Sequence, residues 1–271
     1  MSGIAGLLRC DGQPVAPRLI ERMANVLRAH GPDRSGTIIA GPAGLVHVLM
    51  RITPEDRFDR QPWRGASGAL IAADLRLDNR DDVLARIGVD PSNSVQWSDA
   101  RVLLAAWEKL GDRIWPALRG PFAVAIWDPS QQVLTLARDH LGLNPMMWHR
   151  SERFFLFASM PKGLFALDDV PRELNEEKFA DFLVLNHSEL ATTMYRDVFR
   201  VLPAEVVSVK ADGSMRRHTY WTPAEAAPVR LASIRPTGRA CAIVSIERCA
   251  GNCAVLTRSA AISAAASTRP R

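Results

Sequence analysis

The chain has 271 residues, enough for one large domain or two small ones. Its 47% hydrophobic and 23% charged fractions exclude a disordered or fibrous chain, and no apolar run reaches the roughly 20 residues that span a bilayer. The net charge of +5 lies wholly past Ile234, where six arginines (Arg235, Arg239, Arg248, Arg258, Arg269, Arg271) face one acid, Glu247, and no aromatic residue is available to stack on bases, which disfavours nucleic acid as a partner.

The start, Met1-Ser2-Gly3-Ile4-Ala5-Gly6, has no basic segment followed by an apolar stretch, so no signal peptide is read and a cytoplasmic protein is expected. Residues 3–8 form a short apolar strand candidate. A helix is predicted from about Ala16 to Ala29, with Leu19, Ile20, Met23, Val26 and Leu27 on one face, and Gly31-Pro32-Asp33 ends it. Strand candidates follow at Gly36–Ala40 and Gly44–Met50, separated by Gly41-Pro42, and again at Ala69–Ala73. A short helix is expected after Asn79. Ser98 has the chemistry of an N-cap for a helix through Lys109, burying Val102, Leu103, Ala106 and Trp107.

Two strands, Phe122–Trp127 and Val133–Arg138, are joined by Asp128-Pro129-Ser130-Gln131, with proline where a type I turn accepts it. Phe154–Ala158 reads as a buried strand, and Asn175 caps a helix to about Leu185. Val206–Lys210 and Met215–Tyr220 flank Asp212-Gly213, a hairpin signal. Many strands with few helices predict a layered α+β domain. Past Pro228 the chain turns rich in Ala, Arg, Ser and Cys without period, which predicts disorder. Three of the four cysteines, Cys241, Cys249 and Cys253, lie in that stretch and Cys10 lies far from them. Cys249 and Cys253 lack a second ligand pair at zinc-binding spacing, so no metal site is expected.

Several motifs in order are similar to those of class II glutamine amidotransferase domains joined to asparagine synthetases. Ser2-Gly3-Ile4-Ala5-Gly6 resembles the family's Cys-Gly-Ile-x-Gly, and His30-Gly31-Pro32-Asp33 with Gly36 resembles Arg-Gly-Pro-Asp-x-x-Gly. Leu45-Val46-His47 with Gln61-Pro62, Arg138-Asp139-His140-Leu141-Gly142 with Pro145, Ala158-Ser159-x-x-Lys162, and Tyr220-Trp221 complete the set, covering residues 1–222. The resemblance implies an N-terminal-nucleophile (Ntn) hydrolase-like αββα sandwich of two antiparallel sheets. It also implies an activity: hydrolysis of glutamine and delivery of ammonia to a synthetase domain.

Carried over residue by residue, the resemblance places the nucleophile at Ser2. A free α-amine with a pKa of about 7.7–8.0 acts there as base. A hydroxyl depends on that base more heavily than a thiol does; the alternative is that Ser2 is a plain start residue. The family's carboxylate-clamping arginine falls on Leu49. Arg51 shares its face if the strand continues, but displaced by about 7 Å, too far for a bidentate clamp. The family's oxyanion donor, an asparagine, falls on Asp74 in Asp74-Leu75-Arg76-Leu77-Asp78-Asn79, and an ionised aspartate has no donor to offer. Loss of one such donor typically costs about 10²–10³ in rate. Asp74 is expected instead to pair with Arg76 or a neighbour at the surface. Asp99 matches the family aspartate that binds the substrate amine, or is a first-turn charge favoured by the helix dipole.

Glutamine is therefore expected to be a weak substrate or none, and no cofactor is expected in this chain. ATP and Mg belong to a synthetase domain whose pyrophosphate loop, Ser-Gly-Gly-x-Asp-Ser, does not occur here. The codons of Ile262 to Arg269, read from the last base of the first, permit Leu-Ser-Gly-Gly-Leu-Asp-Ser, which motivates a frameshift near Ser233 and an accidental 223–271 tail in place of that domain. Two functions follow: a truncated asparagine-synthetase-like domain with impaired glutaminase activity, or a catalytically silent scaffold of an ATP-dependent amide ligase. Lasso-peptide macrolactam synthetases, of which the Asp-x-Arg-Leu-Asp-Asn run is reminiscent, exemplify the second.

Overall fold

The computed structural model describes residues 2–186 and 188–223. Met1, His187 and the tail, on which the expected disorder, three of the cysteines and the frameshift reading fall, lie outside the described residues. By compactness the chain divides into Met1–Arg51 with Glu55–Thr222, and Ile52–Pro54 with Pro223–Arg271. The first unit carries every element below.

In chain order these are β1 (Gly3–Arg9), α1 (Pro17–Leu27), β2 (Arg34–Ala40), β3 (Ala43–Leu49), β4 (Trp63–Arg64), β5 (Leu70–Leu75), α2 (Arg80–Ile87), α3 (Asp99–Leu110), β6 (Phe122–Asp128) and β7 (Val133–Arg138). There follow β8 (Met147–Arg150), β9 (Phe154–Ala158), α4 (Pro161–Leu164), α5 (Glu176–Leu183), β10 (Val198–Arg200), β11 (Glu205–Lys210) and β12 (Met215–Thr219). They build two six-stranded sheets, ordered β10-β8-β9-β1-β3-β2 and β12-β11-β7-β6-β5-β4, with every pairing antiparallel.

Strand alternation sorts the core into three layers. Ile4, Leu8, Leu45, Leu70, Ala72 and Trp127 fill the space between the sheets. Ala5, Leu7, Val46 and Val48 turn the other way, onto Ile20, Met23 and Leu27 of α1. Ile71, Ala73 and Val124 pack on Leu84, Val102 and Leu103 of α2 and α3. Helices thus cover both outer faces, giving the expected αββα sandwich. Central strands buried on both faces carry apolar side chains at nearly every position, which is why β1 and β6 read as continuous apolar runs rather than alternating ones. Among the described residues no helix is long and apolar enough to cross a membrane.

Local departures have local causes. Ser98 precedes α3 but makes no cap hydrogen bond; its hydroxyl instead donates to Asp59 at 3.2 Å. Asn175 does cap α5, accepting from the Lys178 N–H at 3.1 Å. That helix stops at Leu183, short of the expected Leu185, which takes a positive φ of 55°. The Asp212-Gly213 hairpin forms, with Gly213 at φ 83°, a conformation glycine adopts without strain.

Candidate functional site

Antiparallel register decides which side chains meet at one end of the inter-sheet layer. Ile4 faces His47, Gly6 faces Leu45, and Leu8 faces Ala43. On the other flank Arg34 faces Leu49 and Gly36 faces His47. Directly opposed residues share a face, and Ile4, Leu45 and Ala43 belong to the inter-sheet core. His47, Leu49 and Arg34 therefore project into the same layer, toward its open end. From the opposite sheet, Asp74 continues the Leu70, Ala72 alternation and faces them.

A buried polar bridge ties the two sheets together beside this mouth. The Gln61 carboxamide accepts from the Ala73 N–H at 2.6 Å and donates to the Ala73 carbonyl at 2.9 Å, standing in for a strand neighbour of β5. Its Nε2 also donates to Asp59 at 2.8 Å and lies 3.2 Å from His47 Nε2. Asp59 in turn accepts from the Gln61 N–H, from Trp63 Nε1 and from Ser98. A Cβ on Gly36 would meet the Gln61 carbonyl oxygen at 2.1 Å, so this segment can lie against β2 only across a glycine. Burial pushes the His47 imidazole down to about 4, because a charged ring loses its hydration there.

Ser2 precedes β1 by one residue. Its hydroxyl accepts from the Met50 N–H at 3.0 Å and contacts the Met50 carbonyl at 3.4 Å. Both are main-chain partners, and neither can take its proton. Ser159, following β9, grips Ile4, the second residue of β1, twice. Its Oγ accepts from the Ile4 N–H at 3.0 Å, and its own N–H donates to the Ile4 carbonyl at 2.8 Å. The Ala158-Ser159 motif is thus a positioning device for the start of β1.

Arg51 stands apart. β3 ends at Leu49, so the strand does not continue to carry Arg51 on the clamp face. Arg51 is exposed, and its N–H donates to Asp33 at 2.8 Å. Asp74 overturns the expectation of surface pairing: Arg76 Nε lies 3.2 Å from Asp78, while Asp74 Oδ2 is buried without a hydrogen-bond partner. Burial, helped by the charge of Asp56, pushes the Asp74 carboxyl up to about 7. Asp99 is engaged on both oxygens, one accepting from the Leu77 N–H at 2.8 Å and the other paired with Arg80 Nη1 at 2.6 Å. Arg80 is fixed further by the carbonyls of Ser94 and Trp97. An aspartate neutralised in this way has little attraction left for a substrate ammonium. Burial still outweighs these partners and raises the Asp99 carboxyl above its ordinary value.

The Arg138-Asp139 motif proves architectural. Asp139 accepts from the N–H groups of Phe122, Leu141, Leu143 and Asn144, and Arg138 donates to the carbonyls of Gly142, Asn144 and Val201. Tyr220 donates to the Arg138 carbonyl at 2.7 Å, and the His140 ring meets Tyr220 and Trp221 edge-on at 5.1 Å. This explains why the closing Tyr220-Trp221 pair accompanies that motif. The loop also reaches the mouth, where Asn144 Nδ2 donates to the Asp74 carbonyl at 2.7 Å.

Sequence reasoning missed Arg34, Asp59 and Arg80. Arg34 had a signal: once Gly41-Pro42 is taken as the hairpin turn, counting back from Ala40 opposite Ala43 places Arg34 opposite Leu49. Arg80 and Asp59 act across long loops and left none.

Three comparisons bear on identity. The family described as "Glutamine amidotransferase domain" matches residues 1–221. Asparagine synthetase [glutamine-hydrolyzing] 3 of Bacillus subtilis is 27% identical over 231 residues, covering 82% of this chain and 36% of that protein. Asparagine synthetase B [glutamine-hydrolyzing] of Escherichia coli is 24% identical over 192 residues, covering 71% and 34%. The chain therefore spans 34–36% of the length of these two relatives. Among solved structures, glutamine phosphoribosylpyrophosphate amidotransferase of B. subtilis superposes with a TM-score of 0.57 at 16% identity, covering 81% of this chain and 49% of that one; this likeness shows the fold. A match across nearly all of the described chain, on a sandwich of the expected layers, makes this protein a member of the glutamine amidotransferase domain family.

Proposed function

We propose that this is the glutamine amidotransferase domain of an asparagine-synthetase-like amide ligase in which hydrolysis of glutamine is silenced. The observation that carries the reading is the Arg80–Asp99 ion pair at 2.6 Å. It engages the carboxylate that the family resemblance assigns to a substrate's amine, and a cation already held there competes with an ammonium. Three further features support it. The Ser2 hydroxyl is bonded to main-chain atoms, Leu49 offers no charge, and Asp74 in its ionised form has no donor for a developing oxyanion.

Amide ligation itself would fall to the remainder of such a ligase, and ATP and Mg would act there. The frameshift reading bears on whether the gene still encodes that remainder; codons that cannot yield Leu-Ser-Gly-Gly-Leu-Asp-Ser in the shifted frame would end it. The Asp74-x-Arg76-Leu77-Asp78-Asn79 run, read with the loss of glutaminase features, favours a ligase of the lasso-peptide macrolactam type. A short precursor-peptide gene next to this one is the expected genomic sign.

The direct test is glutamate release from L-glutamine by the purified chain beside its Ser2→Ala variant. Both are expected to stay at the uncatalysed background. Release by the parent that Ser2→Ala abolishes would sink the reading and restore Ser2 as a working nucleophile.

A further inference from the structure

We propose that the outward face of α5 is a self-association surface, covered by a second copy of this chain across a two-fold axis. Such an association does not depend on whether glutamine is hydrolysed.

α5 is turned the wrong way for a molecule alone in water. Its polar side chains face the neighbouring chain. Lys178, with 12% of its side chain exposed, donates to the Glu189 carbonyl and lies 3.9 Å from Asp181. Asp181 accepts from Asn186 Nδ2 at 2.8 Å. Phe179, Phe182 and Leu183, spaced to share one face, are exposed instead, Phe182 by 54%. Val184 and Leu185 continue the run at 74% each, and Leu190 is exposed as well. No residue of α5 is buried, and none of these six side chains belongs to the three core layers. A surface helix ordinarily turns its apolar stripe inward. Here the order is reversed, and over a run of residues rather than one stray leucine.

Size and shape point to the occupant. The six side chains together expose on the order of 700 Å². That exceeds the roughly 300–600 Å² of the largest apolar patch on a typical monomer and approaches the about 800 Å² that each partner brings to a standard interface. A two-fold contact needs both halves of each interaction on one patch. This patch has them. A notch of about 190 Å³ is lined in part by Phe182, Leu190, Met194 and Arg200. Val184 and Leu185, the most exposed large apolar side chains among the described residues, follow Phe182 directly and serve as knobs for it. Charge is divided in the same way. Glu176 and Glu177 open the helix, Arg200 lines the notch, and none of the three takes part in an ion pair among the described residues. A foreign surface of one sign meets like charge at one of these places. A second copy, reversed by the two-fold, brings opposite signs together.

The test is sedimentation velocity of the full chain from about 1 to 100 µM, beside Phe182→Asp and Leu185→Asp. The parent is expected to reach twice the mass of one chain and to dissociate on dilution. Each substitution is expected to weaken the dimer at least about 100-fold. Because α5 buries none of its residues, the dilute variants are expected to melt with the dilute parent, which thermal unfolding checks. Amide hydrogen exchange over residues 179–185 of the parent is expected to slow as its concentration rises. A parent that stays monomeric at the highest concentration overturns the proposal in favour of an unlike partner. A dimer that either folded variant retains, or exchange over 179–185 indifferent to concentration, overturns it as well.

Discussion

Replacing Asp74 with asparagine is expected to stabilise the domain above pH 7 and to leave it nearly unchanged near pH 4. The carboxyl is held at about 7 in the fold by burial, against about 3.9 in an unfolded chain. The folded state therefore holds a proton that the unfolded state has released, and protonation favours folding. That contribution is complete below about pH 4 and is lost as the pH rises through about 7. At pH 8 the native protein carries a desolvated negative charge, at a cost of at most about 4 kcal/mol. Asparagine has the same shape and no charge, so the variant is expected to melt roughly 10 °C higher at pH 8. His47 adds a second, opposite slope. Its folded value near 4 lies below the unfolded one of about 6.5, so its neutral form favours folding above pH 6.5 and that advantage fades as the pH falls toward 4. In the parent chain the two slopes oppose each other in the acid range. In Asp74→Asn the His47 slope stands alone, and stability climbs with pH before levelling. Urea midpoints measured from pH 4 to 8.5 read this directly. An equal gap between the two proteins at pH 4.5 and pH 8 would show that Asp74 does not titrate in that window.

Gln61→Ala is expected to work in the other direction, costing about 4 kcal/mol or more at any pH. The carboxamide serves the Ala73 N–H and carbonyl, Asp59 and His47 at distances of 2.6 to 3.2 Å. It has only two protons for three acceptors, so the His47 contact, the longest, is the weakest of the set. Truncation leaves the Ala73 main-chain groups and one Asp59 oxygen without partners inside the protein, and each buried orphan costs about 1–3 kcal/mol. Gln61→Glu is no rescue, because it keeps an acceptor for the Ala73 N–H but sets a second carboxylate against Asp59. Chemical denaturation of both variants is the measurement. A loss below about 1 kcal/mol in Gln61→Ala would mean that solvent enters and replaces the side chain.

The fold was legible because its strands state their own burial. Runs such as Phe122–Trp127 and Phe154–Ala158 are apolar on both faces, and turn residues at Gly41-Pro42 and Asp212-Gly213 separate them cleanly. What stayed hidden was short or stabilised from outside. β4 has two residues and β10 three, too few for any period, and β8 mixes Trp148 with His149 and Arg150 because only part of it is covered. The Ser98 cap was misjudged since a hydroxyl cannot announce in sequence that it will bond Asp59, 39 positions away. In the candidate site, motif order supplied Ser2, Leu49, Asp74 and Asp99 as positions to inspect. It did not supply their partners. Arg80 reaching Asp99 and the solitary burial of Asp74 are products of packing between segments that no local pattern links.

The Asp139 carboxylate, gathering four main-chain amides, has a bearing on how such a domain ages. Its bonds end on peptide groups, which every residue except proline supplies whatever its side chain. Mutations that erase chemistry at neighbouring positions thus leave its anchorage untouched. The architecture around Asp139 therefore does not depend on which side chains its neighbours carry.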